Sequence, residues 1–192
     1  MCERFWTLPN QNVIIADVRQ ENRAAVEALV AEYGLASQAS ALRRNSMACV
    51  ALPTCGLALA ESERYLPDLI TALEERLALQ GLAEDEIVIR MTGCPNGCAR
   101  PYLAEVGLVG KGPGRYNLYL GAAFDGSRLS KLYAEDLDHA GIIATLDPLF
   151  AAYAKERNGR EPFGEFVIRA GIVAATTNGR DFHANVGVRR KL

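Results

Sequence analysis

The chain has 192 residues, 49% of them apolar, and a formal net charge of −2. That length supports one domain with a real core, or one large domain with an appendage. The near-neutral balance, with aromatic residues scattered rather than interleaved with basic stretches, excludes nucleic-acid binding driven by electrostatics.

Val13 to Val18 is rich in β-branched residues and predicts a buried strand. From Gln20 to Tyr33 the apolar positions Val26, Leu29, Val30 and Tyr33 follow helical spacing, and Gly34 closes the helix. Ser37 to Asn45 is polar with a double arginine and reads as a loop. Pro53 argues against a regular helix between Ser46 and Gly56. Glu61 to Gln80 is amphipathic, with Leu66, Leu69, Ile70, Leu73 and Leu77 on one face; Pro67 marks a first turn and Gly81 an end.

Glu86 to Met91 predicts a second strand, followed by the tight loop Gly93-Cys94-Pro95-Asn96-Gly97-Cys98. Val106–Val109 and Tyr116–Leu120 read as two more strands, joined by a Gly/Pro turn over 110–114. A last helix covers about Ala140 to Lys155, with Ile142, Leu146, Leu149, Phe150 and Tyr153 inward. The expected organisation is one α+β domain over 1–173, a mixed sheet with packed helices. Residues 174–192 are polar and read as a surface tail. No apolar run approaches the roughly 20 residues that span a bilayer. Met1 to Trp6 lacks the pattern of a secretory signal, so the expected compartment is the cytoplasm, where thiols stay reduced.

There are five cysteines. Cys2 has no partner at useful spacing. Cys49 and Cys55 form one tight pair, and Cys94 and Cys98 another. Both pairs lie on loops that Pro and Gly free to turn inward on a bulky group. Spacing alone leaves three readings open. A structural zinc site usually takes CxxC pairs, and neither pair has that spacing. Four unrelated core cysteines are the plain alternative. Four thiolates holding an iron–sulfur cluster are the third.

The residues around the cysteines carry a resemblance. Asn45-Ser46-Met47-Ala48-Cys49-Val50-Ala51-Leu52-Pro53-Thr54-Cys55 resembles the first cluster motif of sulfite reductase hemoproteins. Met91-Thr92-Gly93-Cys94-Pro95-Asn96-Gly97-Cys98-Ala99-Arg100-Pro101-Tyr102 resembles the second. The match runs on through Ala104–Lys111, Pro113–Leu118 and Phe163–Gly171, and begins at about Asn10-Gln11-Asn12. The resemblance implies the C-terminal half of the two-repeat nitrite/sulfite reductase fold. It implies a 4Fe-4S cluster on Cys49, Cys55, Cys94 and Cys98, and siroheme, with Cys98 as the ligand shared by both. The implied reaction is the assimilatory reduction of sulfite to sulfide. Nitrite reduction to ammonia is the alternative, which Gly97 weighs against; a non-catalytic iron–sulfur electron-transfer module is another.

The implied donor is an NADPH flavoprotein subunit or a ferredoxin. Residues around Cys98–Tyr102 look more like the ferredoxin type, and those at Lys111–Asn117 more like the flavoprotein type. Arg43, Arg44, Lys111 and Arg115 flank the motifs and suit the carboxylates of siroheme, or a solvated basic loop. Asn96, between two ligands, suits a local turn. His139 and His183 are expected at the surface, away from the motifs. Catalytic residues are not assignable, since the family draws its substrate-holding cations largely from an upstream half. The chain alone is accordingly not expected to reduce sulfite efficiently.

Overall fold

The computed structural model describes residues 4–8, 12–35 and 39–179. Cys2, Asn10, Gln11, Ser37, His183 and the 180–192 part of the expected tail lie outside the described residues. The chain divides into two compact units, Met1–Ala39 and Ser40–Leu192.

In the first unit β1 (Arg4–Thr7) pairs antiparallel with β2 (Val13–Ala16), Arg4 opposite Ala16 and Thr7 opposite Val13. A 3-10 turn at Gln20–Asn22 leads into α1 (Arg23–Glu32), and Gly34 takes the left-handed φ of +65° that ends it. The strand and helix fall where the sequence puts them, but their burial does not. Val13 and Ile14 are 59% and 45% exposed, Leu29 and Tyr33 are exposed too, and α1 has no buried residue. A two-stranded ribbon with one helix has too few layers to enclose these side chains.

The second unit is built on a five-stranded mixed sheet in the order β3-β4-β5-β6-β7. Its strands are β3 (Ser46–Ala48), β4 (Ile89–Thr92), β5 (Val106–Gly112), β6 (Arg115–Leu120) and β7 (Lys131–Leu137). β3, β4 and β5 run parallel, whereas β5, β6 and β7 are antiparallel neighbours. The helices are α2 (Ala41–Arg44), α3 (Leu66–Leu79), α4 (His139–Glu156) and α5 (Phe163–Arg169). α3 is the crossover between parallel β3 and β4, as a parallel pair requires.

The apolar stripes of α3 and α4 named from the sequence are all buried, and they join Ile89, Met91, Val106, Leu108, Leu118 and Leu120 of the sheet in one core. Pro67 lies in the first turn of α3, where its missing N–H is harmless. Asp138 caps α4 by accepting the Gly141 N–H at 2.8 Å. Glu105, fully buried at the entry to β5, accepts N–H groups from Val88 at 2.9 Å and Gly164 at 2.7 Å. It thereby ties β4, β5 and α5 together. Burial outweighs these hydrogen bonds and pushes its carboxyl up to about 7.

Five elements depart from the sequence reading. α2 replaces part of the expected 37–45 loop because Ser40 accepts the Arg43 N–H at 3.0 Å and Ala41 and Leu42 are buried. β1, β3, β7 and α5 have no counterpart in that reading. α5 spans seven residues, too few to display a helical period, and is held by burial of Phe163, Phe166 and Val167.

Candidate functional site

Two parallel strands bring the cysteine motifs together. Ala48 of β3 stands opposite Met91 of β4, so the chain leaves both strands at the same sheet edge, into Cys49 on one side and Gly93-Cys94 on the other. The Cys49 N–H donates to the Met91 carbonyl at 3.1 Å, and Gly93 N–H donates to Cys49 Sγ at 3.3 Å. The intervening loop then folds back over β4: Leu59 and Ala60 N–H groups both reach the Gly93 carbonyl, at 2.8 and 3.0 Å. Gly93 is needed for this closeness. A Cβ there would stand 2.5 Å from the Ala51 Cβ and 2.6 Å from the Ala60 carbonyl oxygen. Ser62 Oγ and Tyr116 Oη donate to the Met91 and Glu61 carbonyls at 2.7 and 2.9 Å, fastening the return of the loop.

The second loop closes on itself. Thr92 Oγ1 donates to the Cys94 carbonyl at 3.0 Å, and the Arg100 N–H to the Gly97 carbonyl at 2.7 Å. Gly97 has φ +69°, and a Cβ on it would lie 3.1 Å from the Tyr102 ring. Tyr102 supports the loop from below, donating to the Pro95 carbonyl at 3.2 Å and resting edge-on against Tyr119. Burial first, and the charge of Cys94 second, push its phenol up. Asn96 is exposed in the turn between Cys94 and Cys98.

Cys49, Cys55, Cys94 and Cys98 are all free thiols. Cys94 is buried, Cys49 and Cys55 are half-buried, and Cys98 is exposed. Among the described residues no three His, Cys, Asp or Glu side chains gather closely enough to hold a single metal ion. A four-iron cluster asks for a wider arrangement, since its ligand sulfurs approach separate corners of a cube. The donor set and its setting fit such a group. All four donors are soft thiols, two motifs meet at one edge, and a backbone N–H is already aimed at one sulfur.

The flanking cations behave differently. Arg43 makes a forked contact with Glu74 of α3, Nε to Oε1 at 3.1 Å and Nη2 to Oε2 at 2.7 Å, and also reaches Thr71. Arg115 holds Asp136 at 2.9 Å and Asp138 at 3.6 Å. Its hydrogen bonds keep the Asp136 carboxyl below the ordinary range, with Lys111 contributing. Lys111 and Arg44 are exposed. His139 is exposed as expected, yet it is not remote from the motifs. It shares a groove of about 510 Å³ with Leu52 and Pro53 of the first cysteine loop, its Nδ1 3.0 Å from Tyr65 Oη. Sequence reasoning also passed over Arg90 and Arg100. Burial lowers the Arg90 pKa, and the like charge of Arg100 lowers it further. The signal available was parity, for Arg90 interrupts an apolar strand beside the second motif.

No family model matches the chain. The fold is nonetheless known from a solved structure, that of the Mycobacterium tuberculosis NirA protein. The match has a TM-score of 0.73 at 26% identity and covers 88% of this chain and 33% of that one. It places the chain in the nitrite/sulfite reductase fold. The sequence relatives are more specific. The chain is 70% identical over 186 residues to a sulfite reductase (NADPH) hemoprotein beta-component of Methylorubrum extorquens, covering 97% of the chain. It is 59% identical over 181 residues to the protein of the same name from Bacillus subtilis. The chain is therefore a homologue of part of the sulfite reductase hemoprotein beta-component, as its cysteine motifs imply. It spans 30% and 32% of the length of those two relatives.

Proposed function

We propose that this chain is the cluster- and siroheme-holding portion, C-terminal in the family, of an assimilatory sulfite reductase that converts sulfite to sulfide. The observation that carries the reading is the convergence of both cysteine motifs at one edge of the parallel strands, with the Gly93 N–H on Cys49 Sγ. The sequence identity supplies the substrate class. Cys49, Cys55, Cys94 and Cys98 would hold a 4Fe-4S cluster, and the exposed Cys98 would also serve siroheme. When bound, these groups would supply one-electron reduction chemistry.

The chain's own part is to position the thiolates and keep them dry on one side. Thr92, Tyr102 and the two glycines fix the loop that carries Cys94 and Cys98. Arg43 and Arg115 would have to exchange a carboxylate of the chain for one of siroheme, whereas Lys111 is exposed for such a contact. An NADPH-linked flavoprotein is the proposed donor, supported by the name that the relatives bear, with the cytoplasm as the compartment. No helix among the described residues is long and apolar enough to cross a membrane.

Anaerobic reconstitution tests the assignment. Iron, acid-labile sulfide and visible absorption are measured after supplying iron, sulfide and siroheme. The expected result is about four irons and four sulfides per chain with siroheme absorption, counts set by the cluster type. A cluster without siroheme binding would leave an electron-transfer module instead.

A further inference from the structure

Five of the described arginines of the second unit already hold a carboxylate of the chain. Arg43 holds Glu74, Arg115 holds Asp136, Arg128 holds Glu165, Arg157 holds Asp85 and Arg169 holds Glu161. Arg90 does not: among the described residues no acidic side chain pairs with it, and its charged neighbour is Arg100. The register explains how the two meet. Arg90 on β4 stands opposite Met47 on β3, while Ile89, Met91 and Ala48 point into the helix-covered core. Alternation along a strand therefore puts Met47 and Arg90 on the other face of the sheet. Arg100 follows the Cys94–Cys98 loop in a left-handed conformation, φ 53°, and sends its Nη2 back to within 4.0 Å of Met47 Sδ.

Two guanidinium groups thus converge over one methionine, on the sheet face away from the helices. Met47 lies two residues before Cys49, and Arg100 two residues after Cys98, so the pair stands beside the thiols. Half-burying one cation next to another is unfavourable unless an anion comes between them. Arginine presents a planar fork of donors that suits carboxylate.

We propose that Arg90 and Arg100 form a binding site for carboxylate groups beside Cys98. The two possible sources are the peripheral carboxylates of siroheme and a free polycarboxylate. The first deepens the siroheme reading above and rests on it; the anion site itself does not.

The test uses the full chain, Arg90→Gln, Arg100→Gln and, as a control, Arg160→Gln at an exposed arginine. Siroheme and its neutral octamethyl ester are titrated by absorbance after cluster loading, citrate by calorimetry, and thermal stability is read without ligand. The wild type should prefer siroheme over the ester by tenfold or more. Each of the Arg90 and Arg100 variants should lose about tenfold in carboxylate affinity, as one charge-assisted contact implies, while the control changes nothing. Removing a like charge should leave the melting temperature of Arg90→Gln unchanged or higher, whereas a residue of merely structural value would lower it. Arg90-dependent binding of citrate without any binding of siroheme would uphold the anion site and remove the siroheme reading. Wild-type affinity for both siroheme and citrate in the two variants, or a wild type that binds neither, would overturn the proposal.

Discussion

Gly93→Ala tests the convergence of the two cysteine loops directly. The added methyl group would stand 2.5 Å from the Ala51 Cβ and 2.6 Å from the Ala60 carbonyl oxygen, and neither backbone segment is a flexible side-chain end. The 50–60 loop must therefore lift. Overpacking of this kind costs about 1–3 kcal/mol, and loosening the Leu59 and Ala60 hydrogen bonds to the Gly93 carbonyl adds roughly 1 kcal/mol. Together that is about 2–4 kcal/mol, large against the usual stability of a domain. Cys49 and Cys55 flank the segment that moves, so cluster loading should fall with stability. Gly56→Ala is the control, because nothing lies within 4 Å of a Cβ there. Urea denaturation without iron gives the stability change, and iron and sulfide content after reconstitution gives the site. If Gly93→Ala matches the wild type in both measurements, the packing of the first motif over the second is not what shapes the site.

Cys49→Ser, Cys55→Ser and Cys94→Ser should each abolish stable cluster assembly, because a hydroxyl is a hard and poor substitute for thiolate; a full iron and sulfide complement in all three would reject the ligand assignment. Arg43→Gln should lower stability by about 1 kcal/mol, discounted for partial exposure, through loss of the Glu74 fork, and leave siroheme affinity unchanged; the urea midpoint and a siroheme titration check the two halves. Glu105 gives a pH signature. Its folded pKa is raised by burial from 4.5 to about 7. Its stabilising contribution is therefore complete below the ordinary carboxylate range and is lost as pH rises through about 7, a swing of about 3 kcal/mol. Comparing urea stability at pH 5 and pH 8 should show that swing in the wild type and a flatter profile in Glu105→Gln.

The long helices of the second unit were legible because their apolar residues repeat at helical spacing over several turns: every core position named for α3 and α4 is buried. The thiols were legible from motif identity rather than from periodicity. The sheet register that joins the motifs was not, since pairing between residues 46–48 and 89–91 is a long-range choice with no local signal. The exposure of Val13, Ile14 and Leu29 was missed because a pattern records which side chains would gain from burial, not whether a second layer exists to bury them. The acidic partners of Arg43 and Arg115 were invisible for a similar reason: Glu74 and Asp136 lie far along the chain from them.

The unequal exposure of the four thiols also ranks their chemical vulnerability. Sulfur oxidation to sulfenic acid and beyond follows access as well as thiolate character. Cys98 is open to solvent, Cys49 and Cys55 are partly covered, and Cys94 retains 8% of its accessible surface. Peroxide or air meeting the chain before iron does would attack Cys98 first. Damage would thus begin at the thiol proposed to join the two cofactors. A preparation aged in air could then keep its fold and its three more sheltered thiols while losing the link between cluster and siroheme.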